Sequence, residues 1–167
     1  MIHPLHLAHQ SFASCAVLGF DAIVVGSDQV WRRLYVKGNL TDYFCGFLSS
    51  EDVKTRRISY AASFGISDWD YDDEETAQCA KLIKRFHAVS VREDTGVELC
   101  RNHLGVNAEH VIDPTMLLSV DRYIQLIDQP EKKFSGILVY LLDSDSGKKR
   151  LIDYVVARLG LPAFSVN

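Results

Sequence analysis

Four short segments of this 167-residue chain bring together side chains able to bind and activate a polar ligand: Gly26-Ser27-Asp28-Gln29, Ser63-Phe64-Gly65, Arg92-Glu93-Asp94 and Asp113-Pro114-Thr115. Their residue types set the available chemistry. A guanidinium such as that of Arg92 grips carboxylate or phosphate through paired hydrogen bonds. A carboxylate such as that of Asp28 holds a hydroxyl or takes its proton. Each segment directly follows an apolar run that reads as a strand, and open α/β sheets bind ligands beyond the carboxyl ends of their strands. Every segment also has a plainer reading. Arg92 can pair with Glu93 or another carboxylate, Asp28 can cap a helix beginning near Val30, and Asp113 before Pro114 can shape a turn.

Other chemistry-bearing groups point less far. Residues 142–149, LDSDSGKK, resemble a phosphate-binding loop, but Leu142 stands where the first glycine belongs and Lys149 where Ser or Thr belongs. His3, His6 and His9 fall on one helical face with no carboxylate nearby, so a metal site is not expected there. Asp68, Asp70, Asp72, Asp73, Glu74 and Glu75 read as a solvated loop feeding an acidic helix start. Cys15, Cys45, Cys79 and Cys100 show no CxxC pair, and four reduced thiols in a cytoplasmic protein are expected.

Apolar runs alternating with helical patterns predict βαβ units around a mainly parallel sheet. Strands are expected at 21–25, 57–62, 88–91 and 110–112. Helices are expected at 73–86, 94–104 and 121–127, with Gly105 as a stop and Ser119 as a cap. Cys79, Leu82, Ile83 and Phe86 repeat at i, i+3, i+4 and i+7, which makes the first of these helices the clearest. Residues 128–135 read as a polar linker. A fresh βα(β) start follows, with a strand at 136–142, a helix at 146–159 whose buried stripe is Leu151, Ile152, Val155 and Leu159, and Gly160 as its stop. The expected organisation is therefore a poorly assigned segment at 1–19, an α/β domain at 20–128, a linker at 129–135 and the beginning of a second domain at 136–167. The fold class is α/β, doubly wound and Rossmann-like.

A net charge of −4 and a pI near 5.8 give no broad basic field, so nucleic acid is not an expected partner. The longest apolar runs fall far short of the ~20 residues that span a bilayer. The N-terminus lacks the basic start of a signal peptide.

FDAIVVGSDQVW (20–31), RRISYAASFG (56–65), FHAVSVREDTGVELC (86–100) and VIDPTMLL (111–118) occur in an order and spacing that resemble the conserved blocks of the polysaccharide pyruvyl transferase family. The resemblance covers roughly residues 20–128. It implies a GT-B-like two-domain enzyme of cell-envelope or exopolysaccharide biosynthesis, moving the pyruvyl group of phosphoenolpyruvate onto a sugar as a ketal. Phosphoenolpyruvate would be the donor substrate and a saccharide the acceptor, with no cofactor. Under it, Arg92 corresponds to the Arg of the family's SVRE block and would hold the anionic donor, with Glu93 beside it. Asp28 would hold a sugar hydroxyl or act as base, Ser27 and Gln29 would donate hydrogen bonds to the acceptor, and Trp31 would stack on a sugar face unless it belongs to the core. Ser63 and Gly65 would let a ligand approach the backbone. The family's early Gly/Asn-rich segment is not recognisable in residues 1–19, and its histidine-bearing block does not occur before Asn167. The general acid is therefore expected beyond residue 167, with the chain inactive by itself and an open second domain prone to self-association. Two other readings stand beside this one: a nucleotide-sugar glycosyltransferase of the same architecture, and a non-catalytic saccharide-binding or remnant protein.

Overall fold

The computed structural model describes residues 12, 19–127, 135–143 and 145–165. Cys15 and the His3, His6 and His9 group lie outside them, as does most of the expected linker. The chain forms two compact units, residues 1–120 and 121–167.

In the first unit, four strands form one parallel sheet in the order β1 (Ala22–Val25), β2 (Arg56–Ala62), β3 (Ala88–Val91) and β4 (Glu109–His110). Helix α1 (Asp73–Ile83) connects β2 to β3, and α2 (Asp94–Leu99) connects β3 to β4. The α/β class with a mainly parallel sheet is as the alternating pattern predicts. Helix α1 starts on a capping box, with Asp72 accepting from the Glu75 N–H and Glu75 reaching back to the Asp72 N–H. The acidic run is thus a helix start. Helix α1 ends three residues earlier than expected, yet Leu82 and Phe86 still pack against the core around Cys79 and Ile83. Helix α2 loosens after Leu99 into a π-helical turn over Cys100–Leu104, which closes at Gly105 in the left-handed region (φ 65°). The fourth strand lies one residue earlier than expected and is only two residues long.

The connection from β1 to β2 carries no helical period. It contains 3-10 turns at Arg33–Tyr35 and Leu40–Phe44, and its regularity comes from aromatic packing. Trp31, Phe44, Phe64 and Tyr71 are all buried, with the Trp31 ring stacked on Phe44 at 5.0 Å and close to Phe64 at 5.3 Å. The polar edges of this cluster are satisfied. The Trp31 indole N–H donates to the Tyr43 carbonyl at 3.1 Å, and the Tyr71 hydroxyl donates to the Trp31 carbonyl. Trp31 is therefore a core residue, and its enclosed ring offers no face to a sugar.

Cys45, Cys79 and Cys100 are free and buried. Burial raises their thiols to about 11, 12 and 12, so they pack as small hydrophobes rather than react.

The second unit is a βαβ element. Strands β5 (Ile137–Val139) and β6 (Ala163–Ser165) pair in parallel, joined by α4 (Ser146–Leu159), with α3 (Val120–Ile124) at the unit's start. Asp145 caps α4 by accepting from the Gly147 and Lys148 N–H groups, and Gly160 ends it in the left-handed region. The loop that resembled a phosphate cradle is thus a helix cap, with Lys148 paired to Asp143. The expected buried stripe on α4 is only partly covered. Ile152 and Val155 are half-buried, whereas Leu151 and Leu159 are exposed, because two strands are too narrow to cover the stripe.

Phe44→Ala should destabilise the first unit by about 3–5 kcal/mol, since it empties a closed aromatic cluster. Val53→Ala, at an exposed position, should change stability by under about 0.5 kcal/mol. Urea unfolding of the two variants checks this, and equal midpoints would show that the cluster does not carry the fold.

Candidate functional site

The carboxyl ends of all four strands converge on one guanidinium. Arg92, the first residue after β3, donates from Nη1 to the Ser27 carbonyl at 2.6 Å and to Asp113 Oδ2 at 2.9 Å. Its Nε donates to Glu93 Oε1 at 3.1 Å, and its Nη2 lies 3.8 Å from Asp28 Oδ1. Its backbone is held as well: the N–H donates to the Ala62 carbonyl, and the carbonyl is paired with His110 Nε2. Segments after β1, β3 and β4 are thus joined directly. The segment after β2 joins through Ser63, whose hydroxyl donates to the same Glu93 oxygen at 2.6 Å.

Local backbone features set this convergence. The β2–β3 ladder is irregular between Ser59 and Ala62, where Ala61 adopts a positive φ of 52°. Two serines fill the break. Ser90 Oγ donates to the Ser59 carbonyl and accepts from the Ala61 N–H, while Ser59 Oγ accepts from the Ser90 N–H. Bulges of this kind re-aim the end of a strand, here the end that carries Ser63. At the end of β1, Gly26 has a φ of 117°, and a Cβ there would stand 2.3 Å from the Tyr60 carbonyl oxygen. Only glycine lets the first loop come this close to β2.

The expected site residues separate into two groups. Asp28, Ser27, Ser63, Arg92 and Glu93 are brought together, with Asp113 added. Ser63 is fully buried, and besides its bond to Glu93 it accepts from the Gly65 N–H at 3.0 Å. Gln29 and Gly65 form a side group. The Gln29 amide occupies the space beside Gly65, where a Cβ would stand 2.1 Å from Oε1, and that oxygen accepts from Arg32. The room at Gly65 is therefore filled by Gln29. Asp28 does not cap a helix; its carboxylate accepts from the Gln29 N–H at 2.7 Å and is otherwise largely open, with 89% of the side chain exposed.

Two further members complete the site: Asp113, nominated at its strand end but read as a turn residue, and His110, which the sequence does not single out. Asp113 does shape its turn, accepting from the Thr115 N–H and hydroxyl, but its second oxygen reaches Arg92. His110 lines an open cleft of about 460 Å³ with Arg92, Glu93, Val111, Ile112 and Asp113. A two-residue strand has no period from which the position of His110 could be read.

The electrostatics follow from these contacts. Hydrogen bonds from the Thr115 N–H and hydroxyl, and then from Arg92, hold the Asp113 carboxyl below the usual range. Burial tends to lower the Arg92 pKa, but its hydrogen bonds to Asp113 and Glu93 outweigh this and raise it. Arg92 stays charged throughout the working pH range. Three carboxylates surround it, so the corner is acidic overall. Among the described residues the Arg92 Nη2 edge reaches only the Asp28 oxygen at 3.8 Å, and so retains hydrogen-bonding capacity. Among the described residues no cluster of three or more His, Cys, Asp or Glu is arranged to hold a metal ion.

Asp113 is stabilised in its charged form, so its contribution to stability is present above the unfolded carboxyl value of roughly 3.9 and lost as pH falls through its lower folded value. Asp113→Asn should therefore be less stable than wild type at pH 7, and the difference should close below about pH 3.9. Urea titrations at pH 7, 5 and 3 check this; a difference that is constant with pH would show that the Asp113 charge contributes nothing.

A family model described as polysaccharide pyruvyl transferase matches residues 4–166, extending well beyond the 20–128 stretch that carries the quoted motifs. No curated protein and no solved structure matches the chain.

Proposed function

This chain belongs to the polysaccharide pyruvyl transferase family, and we propose that it moves the pyruvyl group of phosphoenolpyruvate onto a sugar of a polysaccharide, or of its lipid-linked precursor, as a ketal. The reaction begins with protonation of the donor's methylene carbon. A sugar hydroxyl then adds to the adjacent carbon and gives its proton to a base. The bond from that carbon to the phosphate oxygen breaks, phosphate leaves, and a second hydroxyl closes the ketal as it loses its proton. A pair of anionic groups on the donor needs fixed cationic partners, and the hydroxyls need carboxylates.

The single observation that carries the assignment of roles is the free Nη2 edge of Arg92 beside the exposed Asp28 carboxylate. We assign that edge to an anionic group of the donor. Its arrival displaces the Asp28 contact, at 3.8 Å the longest of the three carboxylate contacts. An exposed ion pair of this kind is worth about 0–1 kcal/mol, so the exchange costs little. Asp28, once released, is free to hold an acceptor hydroxyl and take its proton. Glu93 stays tied to Arg92 and Ser63, and orients the guanidinium. The acidic balance of the corner suits a hydroxyl-rich acceptor and requires further cationic groups for a multiply charged donor. The family's histidine-bearing block is the proposed source of the general acid, in a GT-B-like second domain. We place the reaction in the cytoplasm, where phosphoenolpyruvate is available. No helix among the described residues is long and apolar enough to cross a membrane.

Calorimetric titration of the chain with phosphoenolpyruvate tests the donor role. Arg92→Ala should weaken binding at least about tenfold, as expected for loss of a charge-assisted contact, and Arg92→Lys should restore part of it. Unchanged binding in Arg92→Ala would remove Arg92 from the donor site. Phosphate release from phosphoenolpyruvate, measured with a panel of oligosaccharides and a protein that also carries the histidine-bearing block, tests the reaction. Release that no acceptor stimulates would contradict pyruvyl transfer.

A further inference from the structure

At the amino end of the sheet, Arg57 and Arg85 form a second cationic centre. Arg57 is the second residue of β2 and is only 3% exposed. It is roughly 17 Å from the Arg92 corner, given about 3.3 Å per residue along the strand. Its Nη1 donates to the Thr55 carbonyl at 3.2 Å and its Nη2 to the Asp52 carbonyl at 3.0 Å. Its Nε is buried without a hydrogen-bond partner among the described residues. Arg85, just past the end of α1, directs Nη2 to the Ser49 and Ser50 carbonyls and, at 3.5 Å, to the same Asp52 carbonyl. The two guanidinium groups therefore meet over one oxygen. With His87, Ser50, Asp52 and Val53 they line a cleft of about 290 Å³.

Carbonyl groups satisfy donors, but they do not cancel charge. Among the described residues no carboxylate lies within 4.0 Å of either guanidinium. The Asp52 carboxylate is turned to the Lys54 and Thr55 N–H groups. Burial first and the neighbouring Arg85 charge second lower the Arg57 pKa, against a smaller opposing pull from the Asp52 carboxylate. A buried N–H left unpaired among the described residues is itself unfavourable. Two close cations and an imidazole around one small cleft fit an anion with several acceptor oxygens.

We propose that the Arg57–Arg85–His87 cleft is a phosphate-binding site, taking inorganic phosphate or the terminal phosphate of a monoester, separate from the Arg92 corner. The test is calorimetric titration of the chain with inorganic phosphate and, in a second arm, with a sugar phosphate. Wild type should bind at least one of them, and the tighter names the source. Arg85→Ala should weaken that binding at least about tenfold, while Arg92→Gln should leave it within about twofold. Binding of neither ligand, or binding lost in Arg92→Gln and kept in Arg85→Ala, would overturn the proposal. Should Arg85→Ala fail to fold, the Arg57 Nε–H signal of the wild-type chain can be followed by nitrogen-resolved NMR during the phosphate titration. A saturating shift is expected; a signal that stays unmoved would equally overturn the site.

Discussion

Arg92 meets Ser27, Asp28, Glu93 and Asp113 at once, and through Glu93 it also reaches Ser63. Ser27 and Asp28 follow β1, Ser63 follows β2, Glu93 follows β3 and Asp113 follows β4, so one guanidinium fixes the relative placement of four segments far apart in sequence. Loops at strand ends otherwise have few contacts that order them. Here a planar group with five donors in a fixed fork does so. The carboxylates need it in return, since the arginine is the cation that both Glu93 and Asp113 pair with. The same interaction defines the chemistry: it neutralises part of an acidic corner and leaves one edge of the arginine, next to one exposed carboxylate, available for ligands.

That arrangement depends on a core that reaches it from below. Trp31, Phe44, Phe64 and Tyr71 lock the long β1–β2 connection onto the sheet, and the Trp31 N–H bonds the Ser63 carbonyl. The aromatic cluster thus ends where the site begins. The Ser59–Ser90 hydroxyl pair mends the irregular ladder just before Ser63, and Gly26 allows the first loop to press against β2. Packing, a ladder repair and one glycine together set the distances at the Arg92 corner.

Much of the fold was legible where the physics is local. A near-continuous β-branched run marked β1, an i, i+3, i+4, i+7 repeat marked α1, and glycines marked two helix stops. The strand-end rule also gathers Ser27, Asp28, Ser63, Arg92, Glu93 and Asp113 from the sequence alone. What escaped depends on contacts distant in sequence. Residues 32–55 have no period; contacts distant in sequence order them, the stacking of Phe44 on Trp31 and the Arg57 and Arg85 bonds to the 49–55 loop among them. Asp113 was legible as a turn residue, through its neighbours Pro114 and Thr115, but not as a partner of Arg92, which is 21 positions away. Arg57 reads as the start of a strand, and only the folded chain shows it buried beneath the 49–55 loop.

The exchange of Asp28 for a donor anion on the Arg92 Nη2 edge is tested most directly by a crystal structure of the protein with phosphoenolpyruvate bound. A carboxylate or phosphate oxygen of the donor within hydrogen-bonding distance of Nη2, with Asp28 turned away and Glu93 and Asp113 still in place, is the expected result. A donor bound elsewhere, or bound with the Asp28–Arg92 contact intact, would contradict it.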